Sequence, residues 1–205
     1  MLNEFETALL TYLTKEELTK IQNTKIGIAG CGGLGSNIAV SLVRTGFINL
    51  EIIDFDHVEL SNLNRQYFFL DEVGQPKIEA LKNRLKKINP DVNIKSTQIK
   101  LTRENITNYF KAADFIFEAF DQTKAKLLLF EAFGNSNKIL IFGSGLAGYS
   151  TKDALKIKKI KKNIYLVGDQ KTEANKSTPP LAPRVIICAN LMAATALELV
   201  LASKF

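Results

Sequence analysis

The sequence predicts an α/β fold whose mostly parallel sheet is flanked by helices, with antiparallel strands at its C-terminal edge. Short apolar segments alternate with amphipathic ones along most of the chain, which is typical of βαβ units. A glycine-rich run at 30–35, Gly-Cys-Gly-Gly-Leu-Gly, follows the first apolar segment. Asp54 ends the second apolar segment, 19 residues after the last of these glycines. Together these observations indicate a Rossmann-like domain that spans residues 1–205.

The composition is that of an ordinary globular protein. The 205 residues are 46% hydrophobic and 23% charged, which is enough for one domain with a full core. No apolar run approaches the roughly 20 residues of a membrane span. The acidic N-terminus, 1–6, lacks the basic region of a secretory signal. We therefore expect a cytoplasmic protein with no membrane partner.

Cysteine usage and charge exclude other classes of site. Cys31 and Cys188 are too few for a disulfide framework or a four-cysteine zinc site, so no zinc is expected. We expect Cys31 to be a small filler of the glycine run and Cys188 to be a core residue. The formal net charge of +6 comes mainly from lysine, and arginine occurs five times. This excess is interpreted as a diffuse charge that favours solubility.

The N-terminal half supplies the first strands and helices. Residues 1–23 are predicted as an N-terminal helical segment, with a short helix within 3–11 and a second one that starts at the capping box 14–17. The apolar run 25–29 predicts a buried strand, 36–44 a helix and 50–53 the next strand. The polar stretch 56–74 is predicted to be irregular. Pro76 then opens a helix that closes near residue 88.

The C-terminal half continues the alternation. Side chains alternate over 92–100, which predicts a third strand, and Thr102 can cap a helix through 110. Apolar runs at 115–117 and 138–142 predict strands on either side of a helix that ends near 133. Residues 154–167 predict two antiparallel strands, and the polar stretch 168–182 a mobile loop. A helix from Pro183 to about 202 is apolar nearly all round, which predicts that it is buried.

The glycine run lies where a phosphate-binding turn is expected. A strand, a tight turn and a helix N-terminus direct backbone N–H groups and the positive end of a helix dipole at a phosphate. A carboxylate at the end of the second strand can hold ribose hydroxyls. The sequence therefore predicts a nucleotide site built from Gly30, Gly32, Gly33, Gly35, Ser36 and Asp54.

Three further features favour ATP over a nicotinamide dinucleotide. The segment 61–66, Ser-Asn-Leu-Asn-Arg-Gln, supplies amides and a guanidinium. Lys77 begins a helix and offers a second cation for a polyphosphate, while Asp121 follows the fourth strand and can hold Mg²⁺. A glycine motif followed by an aspartate is also a dinucleotide signal. A nicotinamide-binding oxidoreductase therefore stays open as an alternative.

These motifs resemble those of the ThiF/MoeB/HesA family, the bacterial branch of the ubiquitin-activating enzymes. The resemblance covers about residues 20–200 and rests on the segments 30–36, 54–56, 61–66 and 74–77 and on Asp121. The short length and the lack of zinc cysteines are most similar to compact ThiF-type proteins of thiamine biosynthesis.

The resemblance implies an activity. Family members adenylate the C-terminal glycine carboxylate of a small ubiquitin-like sulfur carrier that ends in Gly-Gly, using ATP and Mg²⁺ and releasing pyrophosphate. Cations and Mg²⁺ neutralise the charge that repels a carboxylate from the α-phosphate. Compact members pair as homodimers, and the N-terminal helix here looks amphipathic, so a homodimer is expected.

The resemblance also assigns roles to residues. Asp54 would bind the ribose, and Asp121 would bind Mg²⁺. The phosphates would be bound by Asn62, Arg65 and Lys77. The candidate catalytic residues are Arg65, Lys77 and Asp121. The nucleotide-binding set is Gly30, Gly32, Gly33, Gly35, Ser36, Asp54, Asp56, Asn62, Arg65, Gln66 and Lys77.

Three departures from the family pattern affect what is expected. Family members usually carry two Cys-x-x-Cys zinc pairs, which this chain lacks. Many dimeric members supply an arginine from the partner's N-terminal region, whereas the first arginine here is Arg44, so Lys15 or Lys20 is an alternative cation. No cysteine lies between Cys31 and Cys188 to take sulfur. We therefore expect a carrier adenylate as the product, with sulfur delivered elsewhere.

Two other interpretations remain. The lysine-rich run 156–162 lacks interleaved aromatic residues and arginines, so it is interpreted as a solvated strand face rather than a nucleic-acid site, with carrier docking as an alternative. The whole chain can also be a non-catalytic module that holds ATP or a carrier. The missing zinc pairs and the missing N-terminal arginine favour that interpretation.

Overall fold

The computed structural model describes residues 1–120, 123–152 and 155–202. One seven-stranded sheet has the order β3-β2-β1-β4-β5-β7-β6. Its strands are β1 (Lys25–Ala29), β2 (Asn49–Asp54), β3 (Asn93–Gln98), β4 (Phe115–Glu118), β5 (Ile139–Gly143), β6 (Lys156–Lys161) and β7 (Ile164–Gly168). The helices are α1 (Glu4–Leu9), α2 (Lys15–Asn23), α3 (Gly33–Arg44), α4 (Lys77–Ile88), α5 (Thr123–Phe133) and α6 (Ala182–Ala202).

The sheet confirms the predicted fold class. All neighbouring strands pair in parallel except β6, which pairs antiparallel with β7 at the edge. The chain runs outward from β1 to β3 and then returns to add β4 on the other side of β1. The strand order therefore reverses between β1 and β4. In open α/β sheets this switch point opens a crevice beyond the carboxyl ends of the strands, where ligands bind.

The core lies on both faces of the sheet. On one face, α3, α4 and α6 cover apolar side chains of β1, β2, β4 and β7, including Ile28, Ile52, Phe117 and Val167. On the other face, α5 and the segment 106–113 cover a second cluster that includes Ile53 and Ile116. Burial of both faces explains why these strands read as apolar runs in the sequence.

The predicted capping box at 14–17 is confirmed. Thr14 accepts a hydrogen bond from the backbone N–H of Glu17, and the Glu17 carboxylate accepts one from Thr14 N. A second capping box joins Asn3 and Glu6 at the start of α1. Each box pairs donors that a helix N-terminus otherwise leaves free. The helices predicted from 76 to 88 and near 122 to 133, and the two antiparallel strands, are also present.

Two helix predictions are corrected. The helix predicted from Thr102 to 110 is wrong, since only a 3₁₀ turn, Ile106–Asn108, forms there. Phe110 adopts a φ of 56°, which ends any helix, and its N–H donates to the Glu51 carboxylate. Helix α3 begins at Gly33 rather than at Ser36, so two of the glycines belong to its first turn.

Helix α6 corrects two other expectations. Within the described residues it is the one helix that is long and apolar enough to cross a membrane by length and composition, and 44% of its most apolar window is buried in the fold. This finding corrects the expectation that no apolar segment approaches the length of a membrane span. Its inner face packs on α3, while Ile186 and Ile187 on the outer face are 37% and 52% exposed. The expectation of burial all round is therefore wrong.

Candidate functional site

The glycine turn joins the carboxyl end of β1 to the N-terminus of α3. Gly30 adopts a φ of 105°, which favours glycine, and its N–H donates to the carbonyl of Ile53 at 2.8 Å. Gly32 is the N-cap of α3 and provides no side-chain bond to the first helical N–H groups. The turn therefore presents backbone donors and the positive end of a twelve-residue helix at the switch point of the sheet.

Asp54 fixes this turn to β2. Its side chain is buried, and Oδ2 accepts a hydrogen bond from Cys31 N at 2.5 Å. Oδ1 accepts another from Asp56 N at 2.7 Å. A carboxylate oxygen can accept more than one hydrogen bond, so both oxygens keep acceptor capacity for ribose hydroxyls. The carboxylate thus organises the site in addition to the ribose contact that the sequence predicts.

The segment 61–66 is docked on the N-terminus of α3 by two α3 side chains. Asn37 Nδ2 donates to the carbonyls of Gly33 at 2.7 Å and of Arg65 at 3.0 Å. Ser36 Oγ donates to the Gly32 carbonyl at 2.7 Å and accepts from Tyr67 N at 3.0 Å. Asn37 is not among the site residues predicted from the motifs. These hydrogen bonds hold Arg65, the predicted cation of this segment, beside the glycine turn.

Arg65 lies against the first turn of α3. Its aliphatic stem is 3.4 Å from the place that a Cβ on Gly33 would take. Its Nη1 donates to Asn64 Oδ1 at 2.8 Å and to the Ser61 carbonyl at 3.4 Å. Among the described residues the guanidinium is therefore held by neutral groups, and it can turn to an anion without first leaving any of their carboxylates.

Two amide side chains of the segment are buried. Asn62 Oδ1 accepts from Glu59 N at 3.1 Å and so closes a 3₁₀ turn. Gln66 is 8% exposed, and its Oε1 has no hydrogen-bond partner among the described residues. Gln66 Nε2 lies 3.9 Å from the place of a Cβ on Gly32. Gln66 therefore borders the glycine turn, whereas Asn62 mainly shapes the segment.

Lys77 begins α4 and is almost completely buried, at 6% exposure. Its Nζ lies 3.0 Å from Asp56 Oδ2. Burial raises the pKa of the Cys31 thiol well above its usual value, and the charges of Asp54, Lys77 and Asp56 also act on it. Asp56 N donates to Asp54 Oδ1, and Asp54 Oδ2 accepts from Cys31 N, so hydrogen bonds through Asp54 link the Lys77–Asp56 pair to the glycine turn.

The structure brings most of the predicted site residues together around this turn. They are Gly30, Gly32, Gly33, Gly35, Ser36, Asp54, Asp56, Arg65, Gln66 and Lys77. Ser36 and Asn62 use their side chains internally, so their contacts with a nucleotide stay predictions. Asp121, the predicted Mg²⁺ ligand, lies outside the described residues.

The donor chemistry of the cleft fits Mg²⁺ bound together with a nucleotide. The described residues contain no group of three or more histidines, cysteines or carboxylates that could hold a metal ion. Mg²⁺ is usually held by one or two carboxylates plus phosphate oxygens, so such a group is not required. The side chain of Asp56 is 45% exposed and provides one carboxylate beside the turn.

An ion pair with a buried carboxylate, which sequence reasoning missed, lies next in sequence to the segment that carries Asp121. Glu118 is fully buried at the end of β4, and its Oε2 accepts from Lys126 Nζ at 2.6 Å. Lys126 also donates to the Gly143 carbonyl, and Glu118 Oε1 accepts from Phe120 N. Burial raises the pKa of Glu118, against the opposing effect of Lys126. The pair ties the carboxyl ends of β4 and β5 to α5.

A second missed ion pair anchors the start of the 168–182 segment. Asp169 Oδ2 accepts from Arg184 Nη2 at 2.6 Å, and both side chains are buried. Asp169 Oδ1 accepts from the N–H groups of Lys171 and Thr172 at 2.8 Å. The pair links the end of β7 to the N-terminus of α6. The mobility predicted for this segment stays a prediction.

We expect the Asp169 pair to make stability depend on pH. Burial by itself raises the pKa of Asp169, but hydrogen bonds from Thr172 and Lys171 and the charge of Arg184 together lower it. A lowered native pKa adds stability above the ordinary aspartate pKa, which is lost as the pH falls through the native value. Asp169→Asn should therefore be less stable than wild type at pH 7, and the gap should begin to narrow only below about pH 4, as the pH falls towards the lowered native pKa.

Urea unfolding at several pH values between 7 and 3 measures this difference. Asp91→Asn, at an exposed aspartate in the turn before β3, is the matched control. A gap between Asp169→Asn and wild type that stays constant across the range would contradict the assignment.

Comparison with known proteins identifies the family. The model of the ThiF family matches residues 6–204. The chain belongs to the ThiF family. This confirms the resemblance inferred from the motifs and favours nucleotide transfer over the oxidoreductase alternative.

Individual ThiF-family relatives have different named activities. The chain is 30% identical to the tRNA threonylcarbamoyladenosine dehydratase of Bacillus subtilis (strain 168), over 79% of this chain and 64% of the relative. It is 33% identical to the sulfur carrier protein ThiS adenylyltransferase of the same organism, over 63% of this chain and 40% of the relative. The chain thus spans less than two thirds of the length of these curated relatives.

The fold also has a close structural counterpart. The crystal structure of the E. coli tRNA N6-threonylcarbamoyladenosine dehydratase TcdA in complex with ATP superposes with a TM-score of 0.87 at 20% identity. The match covers 97% of this chain and 94% of that one. At this identity, the likeness concerns the ThiF fold alone.

Proposed function

We propose that this ThiF-family protein is an ATP- and Mg²⁺-dependent adenylyltransferase. It activates the C-terminal glycine carboxylate of a small ubiquitin-like, ThiS-like sulfur carrier and releases pyrophosphate. The observation that carries the proposal is the convergence of the uncapped N-terminus of α3, Arg65 and Lys77 around a turn that Asp54 holds. These groups can bind a polyphosphate and neutralise its charge.

In this proposal the residues of the chain position and neutralise rather than transfer protons. The N–H groups of the glycine turn bind phosphate oxygens, and Asp54 binds the ribose. Arg65 and Lys77 stabilise charge that moves to the departing pyrophosphate, as positioned cations do in phosphoryl and nucleotidyl transfer. Mg²⁺, held by Asp121 and the phosphates, supplies further charge neutralisation when bound.

The state of the cysteines supports an adenylate as the product. Covalent sulfur chemistry requires a thiolate with access to the substrate. Cys31 is fully buried, and burial raises its pKa well above the usual range. Burial also raises the pKa of Cys188 to about 12. We therefore propose that sulfur is delivered by another protein.

The finer parts of the proposal concern setting and assembly. We propose a cytoplasmic homodimer that acts in thiamine biosynthesis, since the ThiS adenylyltransferase of B. subtilis is among its relatives. Lys15 or Lys20 of the partner subunit would replace the missing N-terminal arginine. Light scattering at micromolar protein concentration tests the dimer, and a monomeric mass would contradict it.

A second candidate substrate is a carboxylate carried by a modified tRNA. The relative named tRNA threonylcarbamoyladenosine dehydratase matches a larger share of this chain than the ThiS adenylyltransferase does, 79% against 63%. Both candidates require the same first step, attack of a carboxylate on the α-phosphate of ATP.

Exchange of labelled pyrophosphate into ATP in the presence of Mg²⁺ tests the proposal. We expect exchange to depend on a carrier that ends in Gly-Gly and to be absent with the same carrier lacking its last glycine. Exchange that depends instead on tRNA bearing threonylcarbamoyladenosine would select the second candidate. ATP binding without exchange in either case would indicate a non-catalytic binding module.

A further inference from the structure

Lys77, which is proposed to bind phosphate, is paired in the structure with a carboxylate of the chain itself. Its ammonium is 3.0 Å from a carboxylate oxygen of Asp56. The two side chains differ in burial, with 7% of Lys77 and 45% of Asp56 exposed. A buried ammonium needs an anionic partner, whereas a half-exposed carboxylate can return to water at little cost. The anion is therefore the exchangeable member of the pair.

The backbone around the pair is fixed. Asp56 N donates to Asp54 Oδ1 at 2.7 Å, and Asp56 O accepts from Lys77 N at 3.0 Å. Lys77 also lies in the first turn of α4. Only the two side-chain ends are then free to change partners, and a polyphosphate at the glycine turn offers Lys77 a second anion.

We propose that Asp56 is the exchangeable counter-ion of Lys77, a positioning residue that a polyphosphate must displace to bind. The inference rests on one part of the proposed function, namely that a polyphosphate binds in this cleft. Asp56 holds the lysine in place while the site is empty and competes with phosphate for it. A ligand with little negative charge cannot displace Asp56 from Lys77, whereas a polyphosphate can. The pair therefore makes the site selective for highly charged ligands.

The test is binding of polyphosphate to Asp56→Asn without metal. The substitution keeps the side-chain size and removes the charge, and the amide oxygen of Asn can still accept from Lys77 Nζ, so we expect the fold to survive. In EDTA, we expect inorganic tripolyphosphate and ATP to bind about tenfold more tightly than to wild type by calorimetry, within the usual range of pairwise coupling. Adenosine should bind equally to both, and Asp91→Asn should change nothing.

A second variant separates exchange from simple repulsion. In a Lys77→Met background, Asp56→Asn should tighten tripolyphosphate binding less than about threefold, because no lysine is left to release. An equal gain in both backgrounds would mean that Asp56 only repels phosphate, and it would overturn the proposal. Weaker binding to Asp56→Asn would also overturn the proposal. A loss of affinity only in the presence of Mg²⁺ would indicate that Asp56 is a metal ligand. A loss in EDTA as well would indicate that Asp56 supports the structure of the site.

The same measurements keep this inference distinct from the adenylyltransferase proposal. If tripolyphosphate binds and responds to Asp56→Asn while pyrophosphate exchange is absent, the proposed reaction fails and the counter-ion exchange stands. If pyrophosphate exchange occurs and the affinity for tripolyphosphate does not change in Asp56→Asn, the proposed reaction stands and the counter-ion exchange fails. If neither wild type nor Asp56→Asn binds tripolyphosphate, the counter-ion exchange is overturned.

Discussion

Replacing Gly35 by alanine should abolish ATP binding and lower the free energy of unfolding by about 3 kcal/mol. A Cβ at this position would lie 1.8 Å from the carbonyl oxygen of Gly30 and 2.9 Å from its carbonyl carbon. Both are backbone atoms of the turn, so no side chain can move to relieve the clash. The turn and the first turn of α3 must separate, and the phosphate donors then lose their arrangement.

Gly32→Ala is the matched control, because it makes the same chemical change three residues earlier. The nearest atom to a Cβ there is Gln66 Nε2, at 3.9 Å, which is ordinary contact. Urea unfolding of both variants measures the contrast in stability, and ATP titration is used for Gly35→Ala alone, because Gly32 itself belongs to the proposed nucleotide-binding turn. Equal losses would show that the glycines are required for reasons other than close approach of the backbone.

The contrast shows what the glycine motif alone cannot provide. The pattern at 30–35 marks a turn and a helix start, and both are present. It does not rank the glycines, because close approach depends on how the turn folds back on α3. Gly35 faces backbone, Gly33 faces a methyl group of the buried Val185 at 2.9 Å, and Gly32 faces mostly open space. That ranking requires the three-dimensional structure.

The sheet was predictable because its signal is local. Buried parallel strands are short apolar runs, and each of them, from 25–29 to 138–142, appears as one in the sequence. The helix predicted after Thr102 failed for a reason that is not local. Phe110 is held at a positive φ by packing in the core and by a bond to Glu51, which is 59 residues away. Tertiary contacts override the helical pattern there.

The sequence indicates which residues lie near the glycine turn, but it does not indicate the contacts between them. Arg65 and Lys77 stand out as cations in motifs, and both lie at the turn. The pairs Glu118–Lys126 and Asp169–Arg184 were missed because a single charged residue in a sequence does not reveal its partner. A charged residue that ends a buried strand, as Glu118 does, was the only available signal. It indicates a paired group in the core.

The second large effect is expected at Asp54. Asp54→Asn leaves one acceptor oxygen for two backbone donors and directs an NH₂ group at the other. Charge-assisted hydrogen bonds contribute about 1.5 to 3 kcal/mol each. Losing one of the bonds to Cys31 N or Asp56 N should therefore weaken ATP binding about 12- to 160-fold. Calorimetric titration in EDTA measures this, with Asp91→Asn as the control.

Asp54 and Asp56 stand two residues apart, yet their neutral variants should move ATP affinity in opposite directions. Asp54 is 8% exposed and accepts from the backbone that forms the site, so its charge supports the turn. Asp56 is half exposed and occupies the cation that the phosphate needs. A loss of affinity in both variants would show that the two carboxylates act together as a scaffold. A gain in both would show that negative charge in the cleft matters more than the order of the turn.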